Sequence, residues 1–499
     1  MVENETKPLV SPSWFPLLLL SSALLFPLAF PPLGWKYLIL PAVGFLLVVV
    51  AQARPGAAFV CGFLQGSVGY GFALGWMFRL FSVFALPLFL FMGFFTGLFC
   101  LCFNVLTRRS DSVLWKMAVA AVFWTAIEFY RSELFFLRFP WITAGSALGP
   151  THLSPIVGVY GASFLILLAV GGAVSRRGLS LTAVLCAVVL ALGIFRPGPV
   201  ELKVDEGFQI ALVQDESSRL EEYMRLSEEI GGEAKLIVWP EYALAYDVRE
   251  QPGDMARLRR LCQEKRALLL VGTQTRTGRR ATAWRNTALL TGPAGVLGEY
   301  YKNRPVHFFS DGIAGDNPQP IDSPLGRIGT PICFDCDYTE IVRLLAERGA
   351  QFFAVPSYDK ESWGLTQHKQ HSLLFRHRAA ETGRWFAIAA SSGFTQIIDP
   401  NGHVHGVLPP VESGTLTGRI ALREEKTFFV RYGWLFPWIN LAAAAVMCMV
   451  YGISRFCSAG NGEIEKSTEY ELPPELAGIK TDAPSEESAS ESSCHFLPE

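Results

Sequence analysis

Three side chains of complementary chemistry follow one another in the second half of the chain: Glu241, Lys302 and Cys333. Each comes just after a short run of strand-forming residues. Lys235-Leu-Ile-Val-Trp239 precedes Pro240 and Glu241, Gly298-Glu-Tyr-Tyr301 precedes Lys302, and Arg327-Ile-Gly-Thr-Pro-Ile332 precedes Cys333. A thiol at a strand end becomes a useful nucleophile when one neighbour removes its proton and another stabilises the oxyanion formed by its attack. Glu241 has the chemistry of the first neighbour and Lys302 that of the second. Taken singly, the Glu reads as a surface turn, the Lys as solvated and the Cys as a small core residue. Their shared placement at three strand ends favours reading them together.

The elements that must position them alternate. Strands are expected at 208–214, 234–239, 267–273, 287–291, 298–301, 351–355, 386–390 and 396–398, and helices at 218–230, 254–265, 338–348 and 366–381. Such alternation implies a layered α/β fold. Asp399-Pro-Asn-Gly402 reads as a hairpin, and Gly231-Gly232 as a helix stop. No glycine-rich phosphate loop is present: Gly272 in Val271-Gly-Thr-Gln-Thr275 stands alone.

With Trp239-Pro-Glu-Tyr-Ala-Leu244, Glu299-Tyr-Tyr-Lys-Asn303 and Pro331-Ile-Cys-Phe-Asp335, the sequence resembles the carbon-nitrogen hydrolase (nitrilase) superfamily, and within it the membrane-embedded apolipoprotein N-acyltransferases. The resemblance implies an αββα sandwich for the exported region. It also implies a two-step acyl transfer, with Glu241 as general base, Cys333 as the thioester-forming nucleophile, and Lys302 with the backbone N–H of Phe334 on the oxyanion. The donor would be a membrane phospholipid and the acceptor the amine of a diacylglyceryl-modified N-terminal cysteine of an apolipoprotein. No cofactor, metal or nucleic acid is implied. Asp335 stands where that family usually has Glu. Only 31 positions separate Lys302 from Cys333, a shorter arm than usual, and Asp311 is the nearest acid to support the Lys. In the first half, Phe30-Pro-Pro-Leu-Gly-Trp35, Glu128-Phe-Tyr-Arg131 and Phe139-Pro-Trp141 resemble the family's outer turns and fifth span. Glu128 and Arg131, three apart on one helix face, could pair with each other; with Trp141 and Trp363 they are the candidate lipid contacts.

Composition agrees with a bilayer. Half of the 499 residues are hydrophobic and 18% are charged, as expected of a membrane protein, while the net charge of −2 argues for no particular partner. Apolar stretches at about 13–31, 36–52, 56–78, 80–106, 113–130, 151–174, 179–195 and 434–454 approach the roughly 20 residues that cross a bilayer. The first is read as an anchor rather than a cleaved signal. With the amino terminus inside, Lys7, Arg54, Arg108, Arg109, Lys116, Arg176, Arg177 and Arg455 flank the inner ends, against Lys36, Arg79, Arg131 and Arg138 outside. The expected organisation is a membrane domain of seven spans at 1–195 and an extracytoplasmic domain at 196–433. An eighth span at 434–457 and a disordered cytoplasmic tail at 458–499 complete it, all in the cell (inner) membrane of a bacterium.

Ten cysteines show no disulfide framework. Cys333-Phe-Asp-Cys336 is formally a CxxC, but no second pair completes a metal site, and a redox motif belongs near the start of its domain. His368 and His371 have no further ligand motif beside them and read as structural. Two rivals stay open. A membrane-tethered amidase, favoured by the short arm, would release free acid or ammonia. An idle lipid-binding protein would hold a Cys333 unreactive toward electrophiles.

Overall fold

The computed structural model describes residues 9–203, 206–277 and 283–468, with side chains as far as 455. Residues Met1–Ala445 form one compact unit that holds the apolar helices of the first half and all the strands. From Val446 onward the chain is a separate unit.

Helices occupy each expected span, because in hydrocarbon a lone segment satisfies its backbone only by coiling on itself. Among the described residues five stretches are long and apolar enough to cross a membrane: Met77–Thr107, Val113–Leu134, Ser154–Val174, Arg176–Ile194 and Gly433–Arg455. Pro12–Leu28 and Lys36–Gln52 are apolar but shorter. The remaining expected span, Pro55–Ala73, is a 19-residue helix made less apolar by its glycines, Gln65 and Ser67. Its Gly66 faces Gly93 and Thr96 of the helix Leu86–Thr107, and its Gly62 faces Thr96 and Cys100. A Cβ on Gly93 would lie 2.1 Å from Ser67 Oγ and 2.6 Å from the Phe63 carbonyl, so the two backbones meet through small residues. The last helix, expected to end near 457, runs from Phe436 to Thr468; extending a formed helix is easier than starting one. The rest of the expected disordered tail lies outside the described residues.

Among the described residues twelve strands follow: β1 (Phe208–Gln214), β2 (Leu236–Val238), β3 (Leu268–Arg276), β4 (Trp284–Gly292), β5 (Gly295–Tyr301), β6 (Ile321–Ser323), β7 (Gly326–Gly329), β8 (Phe352–Ser357), β9 (Phe386–Ala390), β10 (Thr395–Ile398), β11 (Val404–Leu408) and β12 (Gly414–Ile420). They make two six-stranded sheets, β12-β1-β2-β3-β4-β5 and β11-β10-β9-β8-β7-β6. β1, β2 and β3 run parallel, as do β7, β8 and β9, and the outer strands are antiparallel. Strand periodicity divides the side chains between two layers. Ile210, Leu212, Leu236, Val238 and Leu270 share one core with Ile328, Phe352, Ala354 and Ile388 of the other sheet. The alternate residues Ala211, Val213, Ile237, Leu269 and Val271 pack with Leu220, Tyr223, Leu258 and Leu261 of the helices Leu220–Glu228 and Pro252–Lys265. Helices Thr339–Glu347 and Leu365–Thr382 accompany the second sheet. The αββα sandwich is therefore present. Strands β6 and β12 were not expected from the sequence. β12 carries two glycines and buries only Ile420, yet it pairs with all seven residues of β1.

Candidate active site

The parallel strands β2 and β7 and the antiparallel β5 bring the three candidate side chains, Glu241, Cys333 and Lys302, near one another. β2 stops at Val238 and Trp239 continues the ladder, its N–H donating to the Leu270 carbonyl at 2.9 Å. Pro240 has no N–H to extend the pairing. Glu241 then lies across β3, where Gly272 makes room: a Cβ there would sit 2.1 Å from the Pro240 carbonyl oxygen and 2.6 Å from the Glu241 Cα. The lone glycine of the sequence is a packing glycine. After β5, the Lys302 N–H donates to the Asn286 carbonyl at 2.9 Å. After β7, Cys333 opens the short helical turn Cys333–Asp337 with φ +47°, a conformation costly for a residue with a Cβ.

The Lys302 ammonium is almost fully buried, 2.8 Å from Glu241 Oε1 and 2.8 Å from Asp311 Oδ2. Asn286 donates to Glu241 Oε1 at 2.6 Å and to Asp311 Oδ1 at 2.8 Å, and the Tyr242 hydroxyl donates to Asp311. Glu241 Oε1 is thus saturated, while Glu241 Oε2 is buried with no hydrogen-bond partner among the described residues. The Cys333 Sγ–H faces the Tyr358 carbonyl oxygen at 3.8 Å.

Electrostatics separate the two acids. Burial, with help from Asp311, pushes Glu241 above the usual carboxyl range against the pull of Lys302. Burial also opposes ionisation of Asp311, but the Lys302 charge and hydrogen bonds from Lys302, Tyr242 and Val306 hold it below that range. Lys302 loses solvation yet is raised well above its usual value by the Glu241 and Asp311 carboxylates. Burial and the Glu241 charge raise Cys333 well above an ordinary thiol. Of the two carboxyl groups beside one ammonium, Glu241 is the more readily protonated.

Asp335 ties the pieces together. Its carboxylate accepts from the N–H of Ile332 at 3.1 Å, of Asn303 at 3.0 Å and of Arg304 at 2.7 Å, and from the Tyr300 hydroxyl at 2.9 Å. Burial nevertheless raises it to about 6. It binds the loop after Lys302 to the turn of Cys333. Phe334 packs edge-on against Tyr338, with ring centroids 5.3 Å apart.

Four residues singled out as lipid contacts have definite partners. Glu128 and Arg131 do not form an ion pair. Past Phe129 the helix widens into a π-turn over Tyr130–Leu134, and both side chains line one small cavity without pairing. Glu128 accepts from Trp124, Ser163 and the Ala144 N–H. Arg131 donates to the carbonyls of Phe139, Trp141 and Ile142. Trp141 is buried, and its indole N–H donates to Asp337 Oδ2 at 2.6 Å. Only Trp363 is part of an open rim: it neighbours Tyr358 and Phe309, and Phe309 in turn meets Phe81 from the first half of the chain.

Sequence reasoning gave no site role to Asn286, Tyr242, Tyr358, Asp337 or Asp359, and read His371 as structural. Asn286 and Tyr242 carried a faint signal, as polar residues in or beside otherwise apolar strands. Tyr358 and Asp359 follow β8 in a loop, Asp337 closes the turn that Cys333 opens, and His371 lies on the helix Leu365–Thr382. Among the described residues no group of three or more His, Cys, Asp or Glu is arranged to hold a metal ion. Cys333 and Cys336 are both free thiols.

Sequence comparison agrees with this arrangement at the level of class: residues 208–427 match the family model for carbon-nitrogen hydrolase, and the chain is an enzyme of that superfamily. Residues 22–172 match the model for the apolipoprotein N-acyltransferase N-terminal domain. An apolipoprotein N-acyltransferase of Geobacter metallireducens is 28% identical over 491 residues, covering 85% of this chain and 93% of the relative. One from Azotobacter vinelandii is 26% identical over 88% of this chain and 95% of its own length. Among solved structures, the C. elegans NitFhit protein matches 45% of this chain and 62% of its own at 21% identity, with a TM-score of 0.39. The chain belongs to the apolipoprotein N-acyltransferase family, and with its apolar helices it is a membrane protein.

Proposed function

We propose that the protein transfers an acyl chain from a membrane phospholipid, through a thioester on Cys333, to the N-terminal amine of a diacylglyceryl-modified apolipoprotein. The reaction would take place on the outer, periplasmic side of a bacterial inner membrane. The observation that carries the chemistry is the unspent oxygen of Glu241: Oε1 is held by Lys302 and Asn286, and Oε2 is left as an acceptor in a buried site. A raised Glu241 beside a raised Cys333 keeps the thiol protonated at rest. Proton transfer to Oε2 then accompanies attack of Sγ on the ester carbonyl. An ammonium has three donors; two of those on Lys302 are directed at Glu241 and Asp311, and the third is free for the oxyanion, with the Phe334 N–H. Collapse expels the lysophospholipid alkoxide, which takes the proton back from Glu241. In the second half, Glu241 accepts a proton from the attacking amine, and the thiolate leaves. The rim of Phe81, Phe309 and Trp363 is an apolar surface suited to acyl chains.

Intact mass of the purified protein incubated with phospholipid, wild type against Cys333→Ala, tests this directly. The expected result is an acyl-sized adduct in the wild type alone, discharged onto the amine of a diacylglyceryl-cysteine peptide. Discharge to water alone would make the protein a hydrolase, and absence of any adduct would overturn the thioester.

A further inference from the structure

Behind the nucleophile lies a second buried polar assembly that the chemistry above does not use. His371, on the helix Leu365–Thr382, places Nδ1 2.8 Å from Asp359 Oδ1 and Nε2 3.3 Å from Asp337 Oδ1. Asp337 closes the turn that begins with Cys333. Asp359 follows Tyr358, whose carbonyl faces Cys333 Sγ. The opposite oxygen of Asp337 receives the Trp141 indole N–H at 2.6 Å. The Trp141 ring lies nearly parallel to the imidazole, with centroids 5.7 Å apart, and tilted against Trp76 at 5.0 Å. Trp76 donates to Gln370, the neighbour of His371, and Gln370 donates to the carbonyls of Pro31 and Ala73. Asp337, Asp359, His371, Trp141 and Gln370 are all buried.

Two ionised carboxylates buried on neighbouring segments repel each other, and a cation between them offsets that cost. Among the described residues no Lys or Arg is paired with Asp337 or Asp359, and His371 fills that place. Asp359 also collects the Gln367 amide at 2.7 Å and the Ser357 hydroxyl at 3.1 Å, which fixes the far side of the clamp.

We propose that His371 is a positioning residue for the nucleophile: clamped between Asp337 and Asp359, it sets the turn of Cys333 against the Tyr358 carbonyl, and Trp141 ties that clamp to the outer loop of the membrane helices. His371 touches no reacting atom. Its charge supports this assignment, since burial opposes protonation but the two aspartates raise the imidazole to about 10, while Asp359, also buried, is held at about 2 by His371. Trp141 thereby becomes a mechanical link rather than a lipid contact.

The inference rests on the proposed role of Cys333 but is tested apart from acyl transfer. The full-length protein in detergent micelles would be treated with iodoacetamide across a pH series, and alkylation of Cys333 followed by peptide mass spectrometry. Wild type would be compared with His371→Gln, which can satisfy only one aspartate, and with Trp141→Phe, which keeps the stacked ring but loses the indole N–H. Acyl-transfer kcat and KM would be measured on the same samples. Expected for both variants are a Cys333 alkylation rate changed about tenfold or more with a displaced pH profile, and kcat lowered with KM within about twofold. An unchanged alkylation profile would overturn the proposal. So would a raised KM with kcat retained, which would place these residues against substrate. Should His371→Gln fail to fold, Trp141→Phe alone decides by the same criteria. Wild-type alkylation without acyl transfer would count against the proposed function and leave this test intact.

Discussion

At the scale of single residues, the site turns on the inequality of two acids around one ammonium. Asp311 and Glu241 sit at the same 2.8 Å from Lys302, yet they differ in direction: Asp311 is stabilised as a carboxylate by Tyr242 and the Val306 N–H, and Glu241 is not. Replacing Asp311 with Asn removes the neighbouring charge that helps hold Glu241 up, and leaves Lys302 paired with Glu241 alone. The expected outcome is an acidic limb of the kcat/KM profile displaced to lower pH, with the plateau reduced by on the order of tenfold to a hundredfold because the base is weaker. A pH–rate series on Asp311→Asn checks this, and an unmoved limb would assign the limb to another group. Residue identity was the most legible layer. Glu241, Lys302 and Cys333 stand after strand-like runs, and the structure places Glu241 and Lys302 within 2.8 Å of each other. Asn286 was not legible, since an Asn inside β4 has meaning only once β5 brings Lys302 beside it.

At the scale of elements, positions of special backbone geometry do the placing. Gly272 lets the segment of Glu241 cross β3 with no side chain between them. Gly272→Ala would push against backbone atoms that cannot swing aside, at a cost of about 1–3 kcal/mol. A fall in activity larger than the fall in thermal stability is expected, because the displaced group is Glu241 itself. Assay and melting curve on one preparation check it. The clamp between the helix Leu365–Thr382 and the nucleophile turn carries its own pH signature. His371 has a folded value raised from 6.5 to about 10, so its contribution to stability is complete below about pH 6.5 and is lost as pH rises through 10. Asp359 is lowered from 3.8 to about 2, so the same pair contributes fully above about pH 4 and is lost as pH falls through 2. The melting-temperature deficit of His371→Gln should therefore be greatest between about pH 4 and 6.5 and shrink toward pH 10. A deficit independent of pH would mean that the imidazole acts by packing alone.

At the scale of the whole molecule, the apolar helices and the sandwich are joined by buried polar contacts. Trp141 donates to Asp337, the Thr339 N–H to Glu133 at 3.1 Å, the Val159 N–H to Glu381 at 2.9 Å, and the Tyr338 hydroxyl to the Arg138 carbonyl at 2.9 Å. A fragment limited to 206–427 would strand several of these groups, each at about 1–3 kcal/mol. It is expected to be less stable than the full chain and to lose the alkylation profile of Cys333; a melting curve and iodoacetamide kinetics on the fragment check both.

What the sequence by itself determined was whatever repeats with a local period or is carried by residue type: the apolar helices, the strand–helix alternation, and three reactive side chains at strand ends. These depend on interactions within a few residues, so pattern suffices. Tertiary structure alone decided the pairing of β12 with β1, the separate hydrogen-bond partners of Glu128 and Arg131, the meeting of Asp311 with Lys302, and the burial of Trp141 against His371. Those outcomes depend on segments far apart in the chain, whose buried charges and hydrogen-bond donors find partners only when the sheets and helices close around them.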